Sequence, residues 1–378
     1  MVSQRTRDQE RMSTMKTDSF RQTTASISLS AIEQNARAFH SHLSPGSSLM
    51  AVVKANGYGH GAVEAAEAAL RGGAESLGVA ILDEAVALRK AGITVPILVM
   101  GHTAPEAMQT AADHDIALTV FATDARDEAL RIAASGQQIR VHLKIETGMG
   151  RIGITTKEQL LDIAAPLFKA EHVALDGMFT HFAEADTPSS PYTDEQFARF
   201  QAMAAALDEA GISIPVKHCC NSAGTMLHPD KHLDMVRVGI SLYGLRPDPE
   251  MPLAFPLEQA MTLSSQIVSI RRLDAGHTIS YGRTHTLTEP RDIATLPIGY
   301  ADGLPRLASN QATVTVNGQE APLVGRVCMD QTMIDVTGLN VRVYDHVTFS
   351  IDQLAERTGT INYEIVCGVS PRVPRVYE

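Results

Sequence analysis

The chain has 378 residues, too many for one small core and suited to a large barrel followed by a second domain. Its formal net charge of −11 argues against nucleic acid or an anionic membrane surface as partner, and no apolar run approaches the ~20 residues of a spanning helix. Four cysteines (Cys219, Cys220, Cys328, Cys367) show no C-x-x-C spacing and read as reduced thiols of a cytoplasmic protein, and no metal-ligand cluster stands out.

Residues 1–25 are polar, rich in Arg, Gln, Ser and Thr, and carry no apolar h-region, so they read as a disordered tail rather than a signal peptide. Ser30-Ala31-Ile32-Glu33 has the capping-box pattern, with Ile32, Ala36 and Phe39 following at helical spacing. Next comes an apolar strand, Met50 to Val53, that ends on Lys54. The chain then breaks into three alternate glycines (Gly57, Gly59, Gly61) and restarts as an alanine-rich helix from about Ala62. A lysine at the C-terminal end of a buried strand costs free energy when charged, so its amine becomes available for a Schiff base with a carbonyl such as that of pyridoxal phosphate. The plainer reading is a lysine that snorkels to the surface.

Apolar runs and helical patterns then alternate. Strands are expected at Leu77–Ala80, Ile97–Met100, Ala117–Phe121, Ile139–Ile145, Val173–Phe179, Val216–Cys219 and Met235–Val238. Between them lie amphipathic segments such as Thr193–Ala210, where Phe197, Phe200, Ala204 and Leu207 share a face. With the Lys54 strand this makes eight β/α units over about 225 residues, which favours a (β/α)8 TIM-type barrel over an open sheet. Chemistry in such barrels sits at the C-terminal strand ends, where Lys54 lies. Around Pro247-Asp248-Pro249-Glu250-Met251-Pro252 the pattern changes and helices nearly vanish. Leu263–Arg271, Asp292–Pro297, Ala312–Val316, Thr332–Val336 and Val343–Ser350 read as strands, with turn signals between them. The expected α/β architecture is a tail (1–25), a barrel (26–255) and a C-terminal, mostly β domain (256–378).

Several separated motifs, in order, resemble the alanine racemase family from about Ser28 onward. Ala51-Val52-Val53-Lys54-Ala55-Asn56-Gly57-Tyr58-Gly59-His60-Gly61 is similar to its cofactor-lysine motif, and Leu143-Lys144-Ile145-Glu146-Thr147-Gly148-Met149-Gly150-Arg151 to its second signature. Thr180-His181-Phe182-Ala183, Asn221-Ser222-Ala223 and Arg237-Val238-Gly239-Ile240 match barrel loops. Ser280-Tyr281-Gly282, Gly299-Tyr300-Ala301-Asp302-Gly303, Cys328-Met329-Asp330-Gln331 and Asn362-Tyr363-Glu364 match the β domain.

The resemblance implies interconversion of L- and D-alanine with pyridoxal 5'-phosphate, feeding D-alanine to peptidoglycan, in a cytoplasmic homodimer with shared active sites. Its small-molecule partner is an amino acid, with neither nucleic acid nor membrane involved. Racemisation removes a proton from one face and returns one to the other, so two bases are expected. By resemblance these are Lys54 and, from the partner subunit, Tyr281, with Arg237 bonding His181 and His181 bonding Tyr281. Arg237 is also implied opposite the pyridine nitrogen, where a guanidinium can only donate. The phosphate is expected on the amides of Gly239 and Ile240 and the hydroxyls of Tyr58, Ser222 and Tyr363, with Asn221 nearby. Ser222 also reads as a helix N-cap. Arg151 is implied at the cofactor phenolate or substrate carboxylate, and Lys144 as a carbamate paired with it. Met329, Asp330 and Tyr300 are implied at the substrate, with Arg306 and Arg326 as an outer cationic funnel. Glu184 departs from the pattern, since a small or neutral residue is expected there beside the gate of Tyr281, Tyr300 and Tyr363.

Two other readings of this fold remain beside it. A broad-specificity amino-acid racemase is one. A pyridoxal-phosphate decarboxylase of the ornithine or diaminopimelate type is the other, but its acidic residue for the pyridine nitrogen and its catalytic cysteine with a glycine-rich phosphate loop are not found. A non-enzymatic cofactor-binding barrel would lack the β domain.

Overall fold

The structure is a computed structural model that describes residues 19–378, so the expectation of a disordered tail lies outside the described residues for 1–18. The described residues form two units, one comprising 30–57 and 62–258 and the other comprising 19–29, 58–61 and 259–378.

Residues 23–25 correct the sequence reading. Thr23, Ala25 and Ile27 are fully buried, while the residues between them are half-exposed, which is the period-two alternation of a strand. The inward set includes a threonine and an alanine, so composition hides the pattern. Thr23 Oγ1 bonds Ser265 Oγ and donates to the Pro297 carbonyl, both at 2.8 Å. Strand β1 (Thr24–Ile27) therefore belongs to the β unit, and residues 26–29 go with it rather than with the barrel.

In the barrel unit eight parallel strands close on themselves: β2 (Ser48–Val52), β3 (Ser76–Val79), β4 (Ile97–Val99), β5 (Ala117–Val120), β6 (Ile139–Lys144), β7 (Val173–Phe179), β8 (Val216–His218) and β9 (Met235–Val238). Each expected barrel strand falls on one of them. Strands covered on both faces have no solvent side, so they read as continuous apolar runs. The helices between them bury one stripe each. Ala62–Arg71 buries Ala65, Ala66, Ala68 and Ala69, while Tyr192–Glu209 buries Phe200, Ala204 and Leu207 with Phe197 half-buried at the stripe's edge. The capping box expected at Ser30 differs: the helix Leu29–His42 starts two residues earlier than a Ser30 cap would place it, and Glu33 pairs with Arg37 (2.7 Å) and Arg71 (3.1 Å).

The β unit continues with β10 (Met261–Gln266), β11 (Ser269–Leu273), β12 (Thr278–Ile279), β13 (His285–Thr286), β14 (Arg291–Leu296), β15 (Thr313–Val316), β16 (Gln319–Pro322), β17 (Thr332–Asp335), β18 (His346–Phe349) and β19 (Arg375–Tyr377). Its six-stranded sheet runs β16-β15-β18-β10-β1-β19, and β11-β14-β17 form a second sheet. The single run expected over Leu263–Arg271 is thus two strands in different sheets, broken at Ile267 and Val268. Helices do not vanish here, since Ile351–Thr358 and Asn362–Gly368 are helical. Among the described residues no helix is long and apolar enough to cross a membrane.

Candidate active site

Lys54 stands two residues beyond β2, at the C-terminal rim of the barrel. The chain after it coils left-handed through Ala55 (φ 52°), Asn56 (53°), Gly57 (61°) and Tyr58 (52°). Left-handed backbone costs an L-residue roughly 1–2 kcal/mol, so the three non-glycine members need support. Gly57 N–H donates to the Val53 carbonyl (2.8 Å), Ala62 N–H to Asn56 Oδ1 (3.0 Å), and Ala55 N–H to Glu84 Oε1 (2.6 Å).

Arg237, on β9, is buried inside the barrel. Its Nη1 contacts His218 Nδ1 at 3.0 Å, and its Nη2 contacts the Thr180 and Cys219 carbonyls (2.8 and 3.1 Å) and His181 Nδ1 (3.2 Å). A guanidinium only donates, so both imidazoles accept at Nδ1 and carry their proton on Nε2. His218 Nε2 in turn lies 3.0 Å from His142 Nδ1, which must accept, and His142 therefore also keeps its proton on Nε2. Burial, and after it the charge of Arg237, hold His181 and His218 well below the usual imidazole range. Burial, with Arg140 and Arg237, takes His142 to about 3. Burial also lowers Arg237 to about 10, which leaves it a cation at neutral pH. A Cβ at position 177 would lie 2.4 Å from His142 Nδ1, so only glycine leaves room for that ring. The outcome is one fixed cation and three neutral histidines of set tautomer, with the His181 proton on Nε2.

Lys144 ends β6 and is buried, its Nζ donating to the Ile145 carbonyl (2.7 Å). Burial and the charge of Arg237 push its amine down to about 7. Glu146 accepts from the amides of Gly148 (2.5 Å), Gly150 (3.0 Å) and Arg151 (3.2 Å), which folds the loop that presents Arg151 in an exposed position. Burial opposes the Glu146 charge, but those amides keep its carboxyl below the ordinary value. Asn221 Oδ1 accepts from Gly224 N (2.9 Å) and is the N-cap of the helix Ser222–Leu227, so the capping role considered for Ser222 belongs to its neighbour. Ser222 Oγ instead accepts from Gly239 N–H (2.9 Å), and Ile240 opens the short 3-10 turn that follows. Glu184 turns its carboxylate to Ser190 Oγ (2.6 Å) within its own loop.

The remaining expected residues lie in the β unit. The rings of Tyr58 and Tyr363 are 6.2 Å apart. Tyr281 is 72% exposed and follows Ser280, whose φ of 64° with ψ of −174° is a conformation otherwise reserved for glycine. Ser280 Oγ donates to the Arg326 carbonyl (2.6 Å), which helps hold it there. Two loops are zipped together by Tyr300 N–H to the Cys328 carbonyl and Ala301 N–H to the Met329 carbonyl, both 3.0 Å. A Cβ at Gly299 would sit 2.3 Å from both of those oxygens. Fully buried Asp302 accepts from Gly299 N (3.0 Å) and from Arg21 Nη2 (3.0 Å), while Asp330 pairs with Arg372 (2.8 Å). Tyr300 and Met329 are 43% and 52% exposed, and Arg306 is exposed as well.

Two family profiles cover nearly the whole chain: "Alanine racemase, N-terminal domain" at residues 27–247 and "Alanine racemase, C-terminal domain" at residues 260–377. The chain belongs to the alanine racemase family. It is accordingly an isomerase. A relative named alanine racemase 2, from Oceanobacillus iheyensis, is 49% identical over 371 residues, 95% of this chain and 94% of its own length. Among solved structures, the alanine racemase of Bacillus anthracis with bound L-Ala-P matches with a TM-score of 0.91 at 39% identity, covering 95% of this chain and 96% of that one. A histidine racemase from Leuconostoc mesenteroides subsp. sake matches at 31% identity with a TM-score of 0.87, over 95% and 98% of the two chains.

Sequence reasoning missed three residues of this racemase: His142, His218 and Glu84. The histidines sit inside strands read as apolar, where a lone histidine passes for core. The available signal was Arg237, because a cation buried among apolar strands needs acceptors at the same depth.

Proposed function

We propose that this enzyme interconverts L-alanine and D-alanine with pyridoxal phosphate held on Lys54, by a two-base mechanism, in a cytoplasmic homodimer that supplies D-alanine for peptidoglycan. The observation that carries the reading is the Arg237–His181 contact at 3.2 Å with Arg237 buried, because it makes His181 a neutral donor of fixed tautomer. The donor set suits the cofactor: hydroxyls of Ser222, Tyr58 and Tyr363 with the Ile240 amide for its phosphate, near Asn221, and donor-only Arg237 for an unprotonated ring nitrogen. Gly239 N–H orients the Ser222 hydroxyl and contributes through it. When bound, pyridoxal phosphate draws electrons from the substrate Cα–H bond.

The chain's own residues then divide the proton work. Lys54 exchanges a proton on one face of Cα, and the partner subunit's Tyr281 on the other. His181 Nε2–H donates to that tyrosine oxygen and stabilises its anion, which a phenol of pKa near 10 needs to act as a base. Arg151 meets the cofactor phenolate or the substrate carboxylate, the Met329 backbone contacts that carboxylate with Asp330 as a supporting group, and Tyr300 shapes the entrance. The exposure of Tyr281, Tyr300 and Met329 in the single chain supports a surface covered by a second copy. Lys144, at about 7, has enough neutral amine to add carbon dioxide, releasing one proton and leaving a carbamate anion for Arg151. Lys144→Ala should lose activity that small carboxylates partly restore.

A broad-specificity racemase is the second reading, favoured by the likeness to a histidine racemase. Turnover of a panel of L-amino acids decides between them, with alanine expected to be fastest by a wide margin. Borohydride treatment of the loaded enzyme should fix the cofactor on a peptide containing Lys54. Labelling of another lysine, or inert alanine, would overturn the proposal.

A further inference from the structure

Glu84 stands in the first turn of the helix Leu82–Lys90, where an acidic side chain sits well against the helix dipole. Its Oε2 accepts from Ala80 N–H (2.9 Å) and Ile81 N–H (3.4 Å), an ordinary way to close a helix start. Its Oε1 does something that capping does not require. It accepts from Ala55 N–H at 2.6 Å, a residue 29 positions earlier in the chain. That amide belongs to the peptide joining Lys54 to Ala55, so the bond fixes the plane from which the lysine side chain departs. It is also the entry to the left-handed turn Ala55–Tyr58, which L-residues do not hold unaided. β2 and β3 are neighbours in the barrel, and Val53 N–H donates to the Gly78 carbonyl (2.9 Å) where they end. One carboxylate thus ties the ends of two adjacent strands and seals the turn between Lys54 and the following helix.

We infer that Glu84 is a positioning residue for Lys54, holding the left-handed turn that sets the direction of the lysine. The inference rests on Lys54 being the cofactor lysine. A residue that only capped its helix would leave the turn unchanged on substitution, and this makes the two roles separable. Gly57 N–H is the reporter, since it lies inside the turn and its acceptor is the Val53 carbonyl rather than the Glu84 carboxylate.

The test uses the full chain with Glu84→Ala, and with Glu84→Asp, which keeps a carboxylate in the first helical turn but is one methylene too short to reach both partners. Hydrogen exchange of the Gly57 amide is read in cofactor-free protein, and the dissociation constant for pyridoxal phosphate is measured by titration. Both variants should exchange Gly57 about tenfold faster or more, with amides of the distant helix Thr123–Ala134 unchanged. Cofactor affinity should fall roughly 10- to 100-fold, as when an outer residue orients a ligating side chain. Unchanged Gly57 exchange overturns the inference, and so does faster exchange with affinity within about twofold of wild type. If wild type takes no cofactor on Lys54, the proposed function fails on its own, and Gly57 exchange still decides whether Glu84 holds the turn.

Discussion

Arg237, His218 and Lys144 of the barrel and Tyr281 and Met329 of the β unit stand in opposite physical states. On the barrel, Arg237, His218 and Lys144 are buried, hydrogen-bonded and shifted in pKa by that burial. In the β unit the backbone is equally specified, through Ser280 at φ 64° and the zipped loops at Gly299, yet Tyr281 is 72% exposed and Met329 52%. The difference separates two kinds of preorganisation. The barrel residues owe their protonation states to their own unit, because low dielectric and close donors fix them without help. The β-unit residues have their places set but their environment unfinished, as expected of groups that work against another surface.

The largest effect tests that division directly. Lys54→Ala and Tyr281→Phe homodimers should each lose activity by about 10²–10⁴-fold or more, the scale of a lost base. Mixed from equal amounts and refolded together, they should recover about a quarter of the wild-type rate, because half the dimers are mixed and each holds one intact site. If both bases came from one chain, every site would keep a defect. No recovery despite demonstrated mixed dimers would remove the shared site.

Stability should divide the same way. Arg237→Met leaves His218, His181 and the Thr180 carbonyl without their donor, and should cost about 3 kcal/mol or more in chemical denaturation. Tyr281→Phe should cost less, about 1 kcal/mol, the scale of one hydrogen bond lost at a covered surface. Equal costs would mean that the two regions are built alike.

The pH response should differ between the units too. His142 in the barrel has a folded pKa of about 3, below the unfolded value of 6.5, and His181 and His218 are also lowered. Between those values the unfolded chain binds more protons, so stability falls as pH drops below about 6.5, by up to about 1.4 kcal/mol per pH unit for each histidine. Lys144, at about 7 against 10.5, adds the same sign between those limits. In the β unit burial opposes the Asp302 charge, but Arg21 and Gly299 N–H hold its carboxyl below 3.8. Its contribution is present above the unfolded value and is lost only as pH falls through the lower folded one. Hydrogen exchange should therefore show barrel amides losing protection near pH 5, before those of the β unit.

How much of this was legible in the sequence follows from the same physics. The barrel strands were readable because burial on both faces makes them continuous apolar runs. β1 was not, since its inward residues are only Ala25 and Ile27, after buried Thr23, in a polar stretch. The break at Ile267 was invisible because an apolar run carries no mark of a change of sheet. Lys54 and Arg237 were found through their motifs. Their partners His142, His218 and Glu84 were not, because what each bonds is decided by strand neighbours far apart in sequence. Left-handed backbone at Ala55 and Ser280 had no signal, as neither residue type announces it.

The smallest expected effect probes the looser region. Arg372 Nη2 lies 2.8 Å from Asp330 Oδ1, and the two side chains are 48% and 55% exposed. Its Nε is also 3.6 Å from Asp302, but that carboxylate already has Arg21 and the Gly299 amide. An exposed pair of this kind is worth about 0.2–1 kcal/mol and weakens with salt. If Asp330 supports the loop that binds the substrate, Arg372→Ala should raise KM by about 1.4- to 5-fold at low ionic strength, with kcat unchanged. The increase should shrink in about 0.5 M salt, where charges separated by more than a few Å are screened. A salt-independent fall in kcat of tenfold or more would instead make this pair a fixed part of the catalytic framework. The contrast between a finished barrel rim and an unfinished β surface would then fail at Asp330.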